Sequence, residues 1–350
     1  MEVSFKPVWF DSFGAKSSCT LVKTPDVVIL VDPGAAVMQP SFPASWADKI
    51  RWLGEAEAAI RKAGEDADVV VVTHYHYDHY TRDPAFYEGK VLLAKNPNEY
   101  INDSQRKRAE RFFRDLWKHF LGKELEEMME RKEEKEYPNP LDELKHSMSV
   151  DFGDYAERRQ QLLKKGVKWF RKRVKNWNSR PKIPELESEN LTLKFADGKS
   201  FKFGSTHIRC TRPLFHGIEF SRVGWVFALT VQHGNEKLLY SSDLDGPIIE
   251  DYADWIIREN PNVLILDGPM TYMFGYLLTR TTLNRVISNV CRIIEETDVS
   301  LVIFDHHLPR EPKFKQRLRS VYELAAEKGK KVVTAAEYLG RKPKVLELVS

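Results

Sequence analysis

Four valines and a threonine, Val69 to Thr73, run directly into His74-Tyr75-His76-Tyr77-Asp78-His79. An unbroken β-branched run reads as a strand covered on both faces, so three histidines and an aspartate stand at the end of a buried strand. Side chains alternate along a strand, which lets His74 and His76 point the same way. As the chain turns, Asp78 and His79 swing toward a second point. Imidazole and carboxylate are the donors that suit zinc and other borderline metals. A polar surface turn accounts for the segment less well, because a buried strand leads straight into it.

The 350 residues allow one large α/β domain or two ordinary ones. At 42% hydrophobic the chain is too apolar for disorder, and 18 glycines with 18 prolines exclude a collagen-like repeat. No apolar stretch reaches the roughly 18 residues of a membrane helix, and MEVSFKPVWF lacks the layout of a signal peptide. A soluble cytoplasmic protein without a membrane partner is expected. Cys19, Cys210 and Cys291 are scattered, with no CxxC pair, so neither a disulfide framework nor a cysteine zinc site is indicated.

Short strands are expected over Val3–Trp9, Cys19–Lys23 and Val27–Val31, then a helix capped by Ser45 and stopped by Gly64. After residue 190 come Leu191–Phe195, Phe201–Phe203, Trp225–Gln232, Lys237–Tyr240, Val263–Leu266 and Leu301–Phe304. Helical repeats lie between the later strands: Leu283, Val286, Ile287, Val290 and Ile294, then Phe314, Leu318, Val321 and Ala325. The order β, helix, β, then βαβα suits two packed sheets with helices outside.

The HxHxDH segment resembles the signature of the metallo-β-lactamase superfamily, in an archaeal-type branch. Further motifs follow in that family's order across residues 1–99 and 190–350. Asp32 in Val31-Asp32-Pro33-Gly34 matches the acid that orients a ligand histidine. His216 after Pro213-Leu214-Phe215 looks like the third-motif histidine, Asp243 after Ser241-Ser242 like the bridging carboxylate, and His306 after Phe304-Asp305 like the final histidine. The resemblance implies an α+β fold, an αββα sandwich, with a helical hairpin inserted over 100–189. It also implies two divalent metal ions, zinc in our reading. One takes His74, His76 and His216, the other Asp78, His79 and His306, with Asp243 between them. The activity implied is hydrolysis of an ester, lactone or phosphodiester by a metal-bridging hydroxide, with Asp78 as ligand and proton acceptor. Two ions about 3.5–4 Å apart lower the pKa of a shared water and stabilise charge on the attacked centre. No flavin domain accompanies the motifs, which sets a redox activity aside.

Some positions leave alternatives. His207 competes with His216 but sits in a short alternating strand. His306 and His307 are adjacent and point apart, so one binds metal; His306 directly follows the strand, and His307 then faces substrate. Asp245 reads as a loop-capping acid. Asp267 ends a strand on the same edge and reads either as a contact to ligand or substrate or as part of an Asp-Gly-Pro turn. Tyr75, Tyr77, Tyr80, Tyr272 and Tyr276 either wall a pocket or fill space around the metal site.

The middle of the chain differs in composition. Residues 101–180 hold 21 Lys and Arg against 15 Asp and Glu, so the modest net charge of +3 hides a basic arm on an acidic body. Ala109, Phe113, Leu116, Phe120 and Met128 mark one amphipathic helix ending before Pro138. Leu163, Val167, Phe170, Val174 and Trp177 mark a second with a coiled-coil-like seam. From Arg158 to Lys182 there are eleven Lys or Arg and no acid, with Trp169, Phe170 and Trp177 interleaved. A phosphate backbone favours such a helix, which makes a nucleic-acid-binding protein or nuclease the alternative function, the metals being structural in the non-catalytic case. Pairing with Glu124, Glu126, Glu127, Glu130, Glu133, Glu134 and Glu136 across a hairpin, or a contact in a homo-oligomer, explains the charge better than nucleic acid does. The extra signature motifs of the family's RNA-processing and DNA-repair branches are not found.

Overall fold

The computed structural model describes residues 2–130 and 134–349. The first of two seven-stranded sheets holds β1 (Ser4–Phe10), β2 (Ser18–Lys23), β3 (Val28–Val31), β4 (Val69–Val72), β5 (Lys90–Ala94), β6 (Leu186–Glu187) and β7 (Leu191–Phe195), in the order β1-β2-β3-β4-β5-β7-β6. A ribbon of β10 (Leu214–Phe215) and β11 (Trp225–Val226) stands apart. The second sheet holds β8 (Ser200–Phe203), β9 (Thr206–Cys210), β12 (Leu229–His233), β13 (Glu236–Tyr240), β14 (Val263–Asp267), β15 (Leu301–Asp305) and β16 (Lys331–Val333). Its order is β16-β15-β14-β13-β12-β9-β8. The fold is α+β, with the two sheets sharing one apolar layer. Among the described residues no helix is long and apolar enough to cross a membrane.

The valine run shows how the layers form. Val69 and Val71 enter the apolar layer shared by both sheets, with Ile29, Val31, Ile265 and Ile303. Val70 and Val72 face the other way, into a cluster with Ile60 and the inserted helices. Each such side chain contributes about 1.5–3 kcal/mol on burial, which is why the run carries no polar residue. Leu264, Leu266, Val302 and Phe304 cover the outer face of the second sheet beneath the helix Arg280–Glu296.

The helix after Ser45 spans Trp46–Glu65, and the Ser45 side chain accepts from the Asp48 N–H. It runs through Gly64 instead of stopping there. A Cβ at Gly64 would stand 2.3 Å from the Phe86 ring, so this glycine serves close packing. The expected strand Trp225–Gln232 divides into β11 and β12, leaving the ribbon to enter the second sheet.

The insertion departs from expectation in three ways. Its first helix, Asp103–Leu121, stops at Gly122 in the left-handed conformation, so Met128 lies on a separate short turn, Leu125–Met128. The seam on the second helix, Ala156–Ser179, closes on the body: Phe170 meets Phe220 and Trp225, and Trp177 meets Trp225. Among the described residues no ion pair joins these glutamates to that helix. Glu124 pairs with Lys118 and Glu126 with Arg114, Glu130 bridges Lys182 through backbone alone, and Glu133 lies outside the described residues. Among the described residues, the acids that pair with the helix are Asp103, with Arg173, and Glu219, with Arg159.

Candidate metal centre

Residues at the carboxyl ends of β3, β4, β13, β14 and β15 meet at one edge of the sandwich. Asp32, just past β3, is fully buried and organises the first half. Its Oδ1 accepts from Thr73 N–H at 2.8 Å, while its Oδ2 accepts from the Thr73 hydroxyl at 2.7 Å and Tyr240 OH at 2.8 Å. Oδ2 also lies 2.9 Å from His79 Nδ1. An N–H at Nδ1 donating to Asp32 fixes the tautomer and leaves the Nε2 lone pair free. The turn behind Asp32 must come very close, because a Cβ at Gly34 would lie 2.2 Å from Tyr80 N and 2.5 Å from His79 N.

The inserted helix holds the same loop from outside. Tyr75 N–H donates to Gln105 Oε1 at 3.3 Å, and Arg108 Nε donates to Tyr75 O. The residue between His74 and His76 is therefore gripped at both backbone groups.

Asp243 projects into the middle of the cluster. Its Oδ2 lies 3.1 Å from His216 Nε2, 3.3 Å from His79 Nε2 and 3.4 Å from His74 Nε2, and its Oδ1 lies 3.6 Å from His306 Nε2. Among the described residues five groups have donor atoms that all fall within 4.8 Å of one another: His74, His76, His216 and Asp243; Asp78, His79 and His306; Asp32, His74 and His79; Asp243, His306 and His307; and Asp245, Asp267 and His307. Asp78 approaches His79 Nε2 at 4.0 Å through Oδ1 and His306 Nε2 at 3.9 Å through Oδ2.

His306 and His307 part ways as their order in the chain requires. His306 Nδ1 sits 3.0 Å from Asp11 Oδ1 and 3.1 Å from Ser17 O, turning Nε2 to the cluster. His307 Nδ1 sits 2.8 Å from Asp267 Oδ1, while Asp267 Oδ2 accepts from Asp245 N–H at 2.8 Å. Asp245 Oδ1 is 3.7 Å from His307 Nδ1. His207 is exposed on β9, in register with Gln232 of β12. Tyr75 and Tyr80 fill the core, Tyr77 and Tyr276 are exposed, and the Tyr272 hydroxyl accepts from Arg310 Nη1 at 3.2 Å.

The donors fit a pair of dications. Among the described residues, His79 Nε2, His306 Nε2 and both Asp243 oxygens are buried without a hydrogen-bond partner, an arrangement proteins avoid unless something else satisfies the atoms. Burial drives His74 down to about 4 and His76 well below the usual imidazole range. Burial opposes charge on His79 as well, yet Asp243 and Asp32 outweigh it and hold this imidazole at about 10. Asp11 and Asp243 do the same to His306. The negative field that draws protons onto these two rings is the field a dication meets. Asp32, Ser242, Asp245, His306 and His307 all hold positive φ, about 1–3 kcal/mol of strain each for non-glycine residues, concentrated at this edge.

Asp11, Lys16 and Arg310 escape a reading of the sequence. Asp11 is fully buried and accepts from His307 N–H at 2.8 Å and from Ser17 N–H at 3.0 Å, and it pairs with Arg310 Nε. No local pattern marks it, since its partners lie near the other end of the chain. Arg310 does have a signal, a cation four residues past His306 in the same segment.

The model of the metallo-β-lactamase superfamily matches residues 14–142, which include Asp32 and the HxHxDH segment. A UPF0282 protein of Korarchaeum cryptofilum is 30% identical over 348 residues, covering 97% of this chain and 91% of that one. The chain belongs to the UPF0282 family, within the metallo-β-lactamase superfamily. A UPF0282 protein of Methanopyrus kandleri is 29% identical over 356 residues, covering 97% of this chain and 95% of its own. Among solved structures, the UPF0282 chain is similar to the metallo-β-lactamase fold protein YhfI from Bacillus subtilis. The identity is 13% and the TM-score 0.42, covering 91% of this chain and 88% of that one.

Proposed function

We propose that this UPF0282 chain is a binuclear metal-dependent hydrolase acting on an ester, lactone or phosphodiester. The convergence of buried, unpartnered donor atoms on His79, His306 and Asp243 carries the reading. His74, His76 and His216 would hold one ion and Asp78, His79 and His306 the other, with Asp243 available to both; zinc would suit this donor set. Residues 1–99 and 190–350 form the catalytic body in this reading, and 100–189 a helical insertion. Bound dications supply Lewis acidity and lower the pKa of water.

The chain's own residues supply the rest. Asp32 and Asp11 hold His79 and His306 in the tautomer that presents Nε2. Asp78, with its side chain 14% exposed, stands where the cluster opens to solvent and accepts the proton of the attacking water. His307, backed by Asp267, faces the substrate. Elemental analysis of His76→Ala, with hydrolysis of generic phosphodiester, lactone and thioester substrates, tests this. Loss of bound metal together with hydrolysis is expected, and unchanged stoichiometric metal content contradicts it.

A second reading is favoured by the basic helix. Lys164, Lys165, Lys168, Arg171, Lys172 and Lys175 are exposed, and among the described residues no carboxylate pairs with them in place of a phosphate backbone. Arg173, by contrast, is buried against Asp103. Salt-dependent retention on RNA or DNA, abolished by neutralising Lys168, Arg171 and Lys172, supports nucleic-acid binding with the metals structural. Absence of retention at low salt removes it.

A further inference from the structure

Arg310 presents a buried charge that its surroundings satisfy only in part. Its side chain is 4% exposed. Nε pairs with Asp11 Oδ2, an oxygen that also accepts from His307 N–H, and Nη1 donates to Tyr272 OH at 3.2 Å. Nη2 is buried and has no hydrogen-bond partner among the described residues. It points toward Asp78, whose Oδ2 is 4.0 Å away, beyond hydrogen-bonding distance. An unmet donor on a buried guanidinium is expensive, and one aimed into a cluster of metal donors is placed for a ligand or water to meet it.

A second cation stands beside it. Lys16 is half-buried in the loop whose next carbonyl, Ser17 O, accepts from His306 Nδ1. Burial and the neighbouring Arg310 both work against its charge, and Asp78 and Asp11 support it. Among the described residues no carboxylate lies within ion-pair distance of its ammonium. Two cations thus border the second metal group, and the one acid between them, Asp78, is engaged as a ligand in the hydrolase reading.

We infer that Lys16 and Arg310 form an anion subsite beside the metal centre that takes a phosphoryl group of the substrate. The inference rests on the binuclear reading and narrows it, from an ester, lactone or phosphodiester to a phosphorus-centred substrate. A phosphoryl group carries several oxygens around one atom, so it meets a fixed guanidinium N–H and an ammonium at once. A single carboxylate satisfies one of them well and the other poorly. The guanidinium, tied to Asp11, fixes orientation, and the lysine adds a second positive charge.

Calorimetric titration of inorganic phosphate into the zinc-loaded full chain tests the subsite, with metal content and melting temperature measured on the same samples. Wild type, Lys16→Gln and Arg310→Lys are compared, with acetate titrated in parallel. Phosphate binding at least tenfold weaker in both variants, at unchanged metal content, is the expected result. Acetate should bind at least tenfold more weakly than phosphate and respond little to the substitutions. Phosphate affinities within twofold of wild type in both variants, no phosphate binding by wild type, or acetate binding as well as phosphate overturns the proposal. Repeating the titration after chelation separates the two readings. There Asp78 is released to face the two cations and the variant effect should shrink, whereas failure of the hydrolase reading shows as a chain that takes up no zinc.

Discussion

The Asp11 carboxylate and the His306 imidazole, 295 positions apart in the chain, meet 3.0 Å apart at a fully buried site. This one contact ties the first sheet to the second at the edge where the donors gather. Through its other contacts Asp11 also fixes the His307 backbone and the Arg310 guanidinium.

Asp11→Asn should therefore damage both fold and site. It keeps the shape but leaves Arg310 without its counter-charge. Removing one partner of a buried pair costs about 3–5 kcal/mol, and losing the acid behind a ligand imidazole weakens metal affinity about 10–100-fold. Denaturant unfolding and competitive zinc titration measure the two effects. Stability within about 1 kcal/mol of wild type, with zinc affinity unchanged, would sink the assignment.

Two glycines should respond to alanine with opposite signs. At Gly34 the new Cβ would meet the backbone nitrogens of Tyr80 and His79, at 2.2 and 2.5 Å, and neither can yield without moving the HxHxDH loop. A loss of about 1–3 kcal/mol is expected from overpacking, with weaker zinc binding. Gly54 lies in the helix Trp46–Glu65 with nothing within 4 Å of its Cβ position, so Gly54→Ala should stabilise by up to about 1 kcal/mol. Melting temperatures that move the same way in both variants would contradict the packing account.

Glu219 gives a pH-dependent term away from the metal donors. Burial opposes its charge, but Arg285, Ser147 and Arg159 outweigh burial and hold the carboxyl at about 2, against an ordinary 4.5. The folded-state value lies below the unfolded one, so the stabilisation is complete above about 4.5 and fades as pH falls toward 2. The shift corresponds to roughly 3 kcal/mol at neutral pH. Glu219→Gln should cost on the order of 2–3 kcal/mol at pH 7, and the gap to wild type should close in acid. Chemical denaturation of both proteins at pH 7, 5 and 3.5 checks this, and a gap independent of pH is the contrary outcome.

What could be read from the sequence follows from how local each signal is. The valine run, the HxHxDH loop and the strand-ending acids Asp32 and Asp243 announce themselves within a few residues, and the structure brings them together. β5 passes unnoticed because Lys90-Val91-Leu92-Leu93-Ala94 shows neither alternation nor a β-branched run, though it sits in mid-sheet, paired with β4 and β7. The inserted helix looks longer than it is because polar, helix-favouring residues continue past Gly122, whose left-handed conformation ends it. The seam of the basic helix has the spacing of helix–helix packing, but Trp225 and Phe220 of the body occupy it, and spacing alone does not say what lies opposite. Asp11 is invisible for the most physical reason: its role exists only once residues from both ends of the chain are side by side.

The most direct measurement is the metal stoichiometry of the full chain. Purified protein is incubated with excess zinc, dialysed and submitted to elemental analysis beside Asp243→Ala, which lacks the carboxylate placed between the two donor groups. Two zinc ions per wild-type chain, and one or fewer in Asp243→Ala, is the result predicted. A wild-type chain that retains no zinc, or an Asp243→Ala variant that retains the same two, would contradict a binuclear centre built on these residues.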